Sequence, residues 1–407
     1  MLTHHFQLSR LVVLSTLLWL LAVPSPAQTS VDAFRKALRE QANFSAQDFF
    51  DLEQDKIAAR LLPVKDKREV GVCGVVRLPV PAAEFLQFTR DNVAQRNNRA
   101  ILQIGKFSTS PAIEDLQALT LEDRDVDDLR RCTAGDCKVK LSAAMIERLH
   151  NEVNWNAVDY RVQATLVFRQ MLLDYVRDYL SRGASALMEY SDRAGGVNLA
   201  EEQSSLLDAS AYFNQFAPEF TGYLRNFPTP VLAGAENYIF WSKLKFGLKP
   251  VISITHVVIY PRPAHSAPQV LVASKQIYAD HYFDSSLALS AFVSFPAAGE
   301  TRDSYLLYTN RSRADALGGL FSGLKRSMVE SEALGSLQTI LQEQKLKLEA
   351  GSAQPASSQP GTTVSNSWRD WRPGGLHPLW WVLAAISIVV LAFWLVRRTS
   401  RRRHKPE

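Results

Sequence analysis

The sequence predicts an α+β fold: an antiparallel sheet with a long C-terminal helix and a large helical insertion, followed by one C-terminal transmembrane helix. Three observations predict it. β-branched and aromatic runs at 250–260, 270–279, 287–295 and 304–309 are separated by Pro, Gly, Asp or Ser clusters, the spacing of an antiparallel meander. Helical periodicity governs a block from about 111 to 226 and returns after Leu317. Finally, Leu379 to Val396 runs 18 residues without a charge, edged by Trp380, Trp381 and Trp394, which suits a membrane span with aromatic rings at its interfaces.

In chain order, a helical lead is expected from Val31 to about Leu61, then a strand over Glu69 to Leu78 that Pro79 and Pro81 end. Ala82 to Val93 reads as a short helix and Ala100 to Phe107 as a second strand. Within the helical block, Leu116 to Leu129 is acidic. Ser142 is placed to cap a helix with Met145, Ile146, Leu149 and Val153 on one face, and Tyr160 to Leu180 continues the period. The closing helix carries Leu317, Leu324, Met328, Leu337 and Leu341 near one face.

The two ends specify topology. Arg10 precedes an apolar core of 13 residues, Leu11 to Val23, and Ser25 and Ala27 stand before a cut at Gln28, the three-part pattern of a secretory signal. As a helix that core rises only about 20 Å, short of a hydrocarbon layer of roughly 30 Å. The expected organisation is therefore a signal peptide at 1–27, an exported domain at 28–349, a flexible linker at 350–377 poor in apolar residues, a transmembrane helix at 378–396, and a basic tail at 397–407. The arginines of the tail place the C-terminus in the cytoplasm, so the domain faces the periplasm or extracellular space on a single-pass anchor in the cell membrane. Gly374 and Gly375 before the apolar run also suit a bacterial sorting tag, which leaves processing of the anchor open.

The formal charge of +5 belongs to that topology signal. Six of the 46 basic residues lie in the tail and one is Arg10, whereas only Glu407 of the 41 acidic residues is in the tail, which leaves 39 basic against 40 acidic residues between them. No electrostatic footprint for nucleic acid remains. Cys132 and Cys137 flank a Gly-Asp turn and are expected to form a small-loop disulfide with Cys73 free; reduced thiols and a pairing through Cys73 are the alternatives.

The order of elements resembles the START-like helix-grip families. The residues that carry the resemblance are Val70 to Phe88, Val270 to Leu348, and Gly318-Gly319-Leu320-Phe321 before the last helix. It covers about half of the exported domain, and the block from about Pro111 to Asn226 departs from the compact family pattern. The resemblance implies a curled sheet gripping an apolar ligand such as a lipid, and it transfers no catalytic residue.

Catalytic signatures are sparse. No Gly-x-Ser-x-Gly, phosphate loop or His-Glu-x-x-His occurs, and no cofactor or metal site is assigned. Asp280, His281 and Asp284 are weak catalytic candidates, because a histidine between carboxylates at a strand end can be oriented as a base or a ligand; His256, mid-strand, reads as a satisfied core or cavity-lining histidine. Asp123, Asp125 and Asp127 imitate half a calcium loop, but Asp128 and Ala134 stand where Gly and Glu belong. Ser242 with Lys245 and Ser322 with Lys325 match Ser-x-x-Lys without its companion motifs. Asn43 and Asn310 begin glycosylation acceptors. Three functions stay open: binding of an apolar or lipid-like ligand, a scaffold that docks another envelope protein, and a hydrolase using His281.

Overall fold

The computed structural model describes residues 26–93, 100–245, 249–263, 266–295, 303–314, 317 and 322–352. The expected signal core, most of the expected linker, the expected transmembrane helix and the basic tail lie outside the described residues. Among the described residues no helix is long and apolar enough to cross a membrane.

The described residues begin with α1 (Pro26–Ala42) and α2 (Ala46–Glu53). Ser45 starts α2 with a capping box: its hydroxyl accepts the Asp48 N–H, and the Asp48 carboxylate accepts the Ser45 N–H. The expected helical lead is then corrected, because β1 (Ala58–Leu61) turns back antiparallel onto β2 (Glu69–Arg77). After α3 (Ala82–Asn92) and β3 (Ile101–Lys106), the helical insertion comprises α4 (Asp123–Arg131), α5 (Ala143–Glu152) and α6 (Tyr160–Arg182), a two-residue hairpin of β4 (Glu189–Tyr190) and β5 (Val197–Asn198), and α7 (Leu199–Asp208), α8 (Ala211–Phe216) and α9 (Pro218–Asn226). Ser142 caps α5 as its position in the sequence indicates, its Oγ accepting the Met145 N–H at 3.3 Å.

Five consecutive strands follow: β6 (Glu236–Leu244), β7 (Val251–Pro261), β8 (Val270–Ala279), β9 (Phe283–Phe295) and β10 (Asp303–Ala314). They join the earlier strands in one antiparallel sheet of order β1-β2-β10-β9-β8-β7-β6-β3. The meander is the one expected, with β6 as an additional strand. That strand removes the Ser242-to-Lys245 pair from any helix turn. The chain closes with α10 (Ser322–Ser352), which extends three residues beyond the expected end of the domain.

Both faces of the sheet are covered, so the central strands are buried along their length rather than in alternation. One core joins α1, α2 and α4–α9 to residues such as Cys73, Val75, Ile254, Leu271 and Leu287; the other joins α3 and α10 to Val72, Val76, Val257, Val272 and Phe292. Successive residues of a strand serve opposite cores, as the pleat requires. α10 seats on β2 at Gly74, where an added Cβ would stand 2.5 Å from Leu341 Cδ1 and 3.0 Å from Leu337 Cδ2. Only a residue without a side chain lets the helix lie that close.

Candidate functional site

The short turn between β8 and β9 consists of Asp280, His281 and Tyr282. Tyr282 adopts φ +60°, a left-handed conformation that costs roughly 1–2 kcal/mol for an L-residue. Its neighbours hold it there: the Tyr282 hydroxyl accepts the Lys249 N–H at 3.1 Å, and the Phe283 N–H donates to the His281 carbonyl at 2.7 Å. Asp280 ties the turn to β7, its N–H donating to Ile252 O at 3.0 Å and its Oδ1 accepting the Ile252 N–H at 2.8 Å.

His281 is buried by this turn and by two parts of the insertion. Its Nδ1 lies 3.0 Å from the carbonyl oxygen of Lys138 and its Nε2 lies 3.2 Å from Asp125 Oδ1 and 3.8 Å from Asp280 Oδ2. A carbonyl only accepts, so Nδ1 carries the hydrogen. Burial alone would lower the His281 pKa, but Asp280 and Asp125 outweigh it and the pKa is raised. Burial pushes Asp280 up to about 6. For Asp125, burial is outweighed by hydrogen bonds from His281 and Lys249, so its pKa is lowered. Lys249 reaches Asp125 at 2.7 Å and Asp128 at 2.6 Å, and Arg131 meets Asp128 at 2.6 Å. A cleft of about 470 Å³ bounded by Leu121, Glu122, Arg124 and Pro250 leads to Asp125 and Lys249.

The three sequence candidates thus part company. Asp280 stays with His281, whereas Asp284, fully buried, is surrounded by Arg68 at 2.9 Å, Lys140 at 3.0 Å and Arg193 at 3.0 Å. This second cluster continues through Glu202 and Arg313 to Glu69, which pairs with Arg311 at 2.6 Å and Arg313 at 3.0 Å. An acid held by three cations is a structural anchor and cannot orient His281 as a base.

The disulfide joins the two clusters to the insertion. Cys132 and Cys137 are bonded and Cys73 is free and buried. The bridged loop follows α4, which carries Asp125 and Asp128, and precedes Lys138 and Lys140. It is docked on residues 191–193 by Gly135 N–H to Ser191 O at 2.7 Å and Cys137 N–H to Asp192 O at 3.0 Å.

The calcium imitation does not form. Asp123, Asp125 and Asp127 lie in α4, where residues two apart point to different sides of the helix; Asp125 meets His281, while Asp123 and Asp127 pair with Arg161 at 3.2 Å and 3.0 Å. His256 is a core histidine, as expected: Tyr179 Oη lies 2.8 Å from its Nδ1 and Asn237 Oδ1 2.9 Å from its Nε2. Burial lowers its pKa to about 3, with the buried Lys275 adding to the effect. Asn310 is buried, so of the two glycosylation acceptors only Asn43 is exposed. The side chains of Ser322 and Lys325 lie outside the described ones.

A graded floor occupies the sheet face toward α10. Along β8 that face reads Val270, Val272, Ser274, Gln276; along β9, Phe292, Ser290, Ala288, Ser286; along β10, Leu306, Tyr308, Asn310, Ser312. The registers Val270 to Phe292 to Leu306 and Ser286 to Ser312 align the three gradients, so one end is apolar and the other polar. Phe85 of α3 stacks on Phe292 at 4.6 Å and walls the apolar end. At the polar end Ser286 and Ser312 bond at 2.8 Å, and Gln276 Nε2 is buried without a hydrogen-bond partner among the described residues.

Sequence reasoning missed Asp125 as a partner of His281, and it missed Lys140, Arg193 and Lys249. Asp125 carried a signal in the acidic run; the three cations had none, since each meets its acid across more than 90 residues of chain. Comparison with protein-family models and with curated proteins gives no match to this chain.

Proposed function

We propose that the chain is a membrane-anchored, exported binding protein whose graded sheet floor receives an amphipathic, lipid-like ligand. The apolar body would lie toward Phe292, Val270 and Leu306, and the polar end toward Ser286, Ser312 and Gln276. The observation that carries the reading is the parallel apolar-to-polar gradient on β8, β9 and β10. Small serine and alanine side chains with a few convergent polar groups are the kind of surface that orients an amphipathic ligand. The ligand volume belongs over β8–β10, because Leu341 and Leu337 already occupy the space above Gly74 on β2. The helix-grip resemblance supports the same reading, with α10 as the gripping helix.

The test is native mass spectrometry and solvent extraction of the exported domain, Gln28 to Ser352. A lipid recovered in near-stoichiometric amount from the wild type, and lost from Ala288→Phe with unchanged circular dichroism, is the expected result. Ligand-free protein, or equal recovery from the variant, overturns the reading.

A second reading, docking of another envelope protein on the helical insertion, is favoured by one observation. Met145, Met171 and Met188 line an open groove of about 720 Å³ between α5, α6 and the segment before β4. Methionine-lined grooves adapt to varied apolar partners. A co-purifying protein that is lost on Met145→Glu supports this reading.

A further inference from the structure

We propose that Asp125, Asp280 and His281 form a binding site for a divalent transition-metal ion. Among the described residues these three are the one group of metal-ligating side chains whose donor atoms lie within 4.8 Å of one another. The donors come from two separate elements, Asp125 from α4 and the other two from the β8–β9 turn, and all three side chains are at least nine-tenths buried.

The hydrogen bonds behind the donors are those of a ligand histidine. His281 directs Nδ1 at the Lys138 carbonyl at 3.0 Å, which keeps a hydrogen on Nδ1 and makes Nε2, now 3.2 Å from Asp125 Oδ1, the nitrogen that would take an ion once its hydrogen leaves. Asp280 is oriented in the same manner, its Oδ1 accepting the Ile252 N–H at 2.8 Å. Its other oxygen, Oδ2, stands 3.8 Å from His281 Nε2.

Distances fit an ion of that class. Two donors each about 2.1 Å from a metal stand roughly 3.0–3.4 Å apart in octahedral or tetrahedral geometry. The 3.2 Å between Nε2 and Asp125 Oδ1 falls in that range, the 3.8 Å between Nε2 and Asp280 Oδ2 exceeds it by a few tenths of an ångström, and all three donors lie within 4.8 Å of one another. One imidazole nitrogen with two carboxylate oxygens and no thiolate suits zinc, manganese or cobalt better than calcium, which takes six to eight oxygens. On binding, any hydrogen on Nε2 leaves to solvent and the metal–nitrogen bond takes its place. Lys249, 2.7 Å from Asp125 Oδ1 on the cleft side, competes for the same carboxylate.

The experiment uses the full chain in detergent, stripped with a chelator and titrated with Zn²⁺ by calorimetry near neutral pH, with Co²⁺ absorption as a second readout. Expected are one saturable equivalent of Zn²⁺, visible Co²⁺ bands, and loss of both in His281→Gln and Asp280→Asn variants of native circular dichroism. Lys249→Met keeps all three donors and removes the competitor, so it is expected to bind Zn²⁺ several-fold more tightly. Absence of saturable binding to the wild type overturns the proposal, as does unchanged binding in both donor variants. Should the donor variants fail to fold, unchanged or weaker binding by Lys249→Met overturns it.

Discussion

The imidazole Nδ1 of His281 lies 3.0 Å from the carbonyl oxygen of Lys138, the residue that directly follows Cys137 of the disulfide. One backbone oxygen thereby links the covalent clamp of the insertion to the β8–β9 turn. Lys140, two residues further, repeats the link, its N–H donating to Asp280 O at 2.8 Å and its ammonium reaching Asp284 at 3.0 Å.

Cys132→Ser opens that clamp. The bridge spans a sequence separation of 5, and closing so short a loop removes little unfolded-chain entropy, so the loss is expected at about 1–2 kcal/mol in chemical denaturation. Reductant should bring the wild type to the same stability as the variant. Non-reducing peptide mapping should find Cys132 linked to Cys137 and Cys73 free; a linked Cys73 contradicts the structure.

Asp284→Asn leaves Arg68, Lys140 and Arg193 facing a neutral side chain at a fully buried position. Breaking a buried charge cluster by removing one partner costs on the order of 3–5 kcal/mol, read as a lowered denaturation midpoint in urea. A change below about 1 kcal/mol would show that solvent reaches the cluster.

Gly74→Val tests the seat of α10. The new side chain would collide with Leu341 and Leu337, and overpacking of this kind costs about 1–3 kcal/mol. The double variant with Leu341→Ala should recover part of that loss, and strict additivity of the two single effects would mean the helix does not rest on Gly74.

His256 makes acid destabilising. Its pKa falls from 6.5 to about 3 on folding because burial penalises the imidazolium, so the stability it contributes is full above about pH 6.5 and is lost as pH falls toward 3. The unfolded chain binds the extra proton in that window, at about 1 kcal/mol per pH unit. His256→Gln should flatten the acid limb of a stability-against-pH curve; an unchanged slope would assign that limb to other groups.

Much of the scaffold was legible in the chain itself. The β-branched runs of β7 to β10, the Ser142 cap and the spacing of Cys132 and Cys137 are local signals, and the helical insertion kept its period of apolar residues. β1 and β6 escaped notice for a physical reason. β1 has four residues, and β6 mixes Glu236, Asn237 and Lys243 with its apolar positions, so neither shows a pattern that stands apart from its surroundings.

What the sequence determined by itself is the kind of element: strands by β-branched and aromatic runs between turn residues, helices by period and cap, and a short covalent loop by cysteine spacing. Tertiary structure alone decided which charges meet. Asp280 and Asp284 both flank His281 in the chain, yet one faces Ile252 and His281 while the other is enclosed by Arg68, Lys140 and Arg193. Periodicity reports the face on which a side chain lies, whereas its partner is set by the long-range register of strands and the docking of the insertion, and no local pattern encodes those.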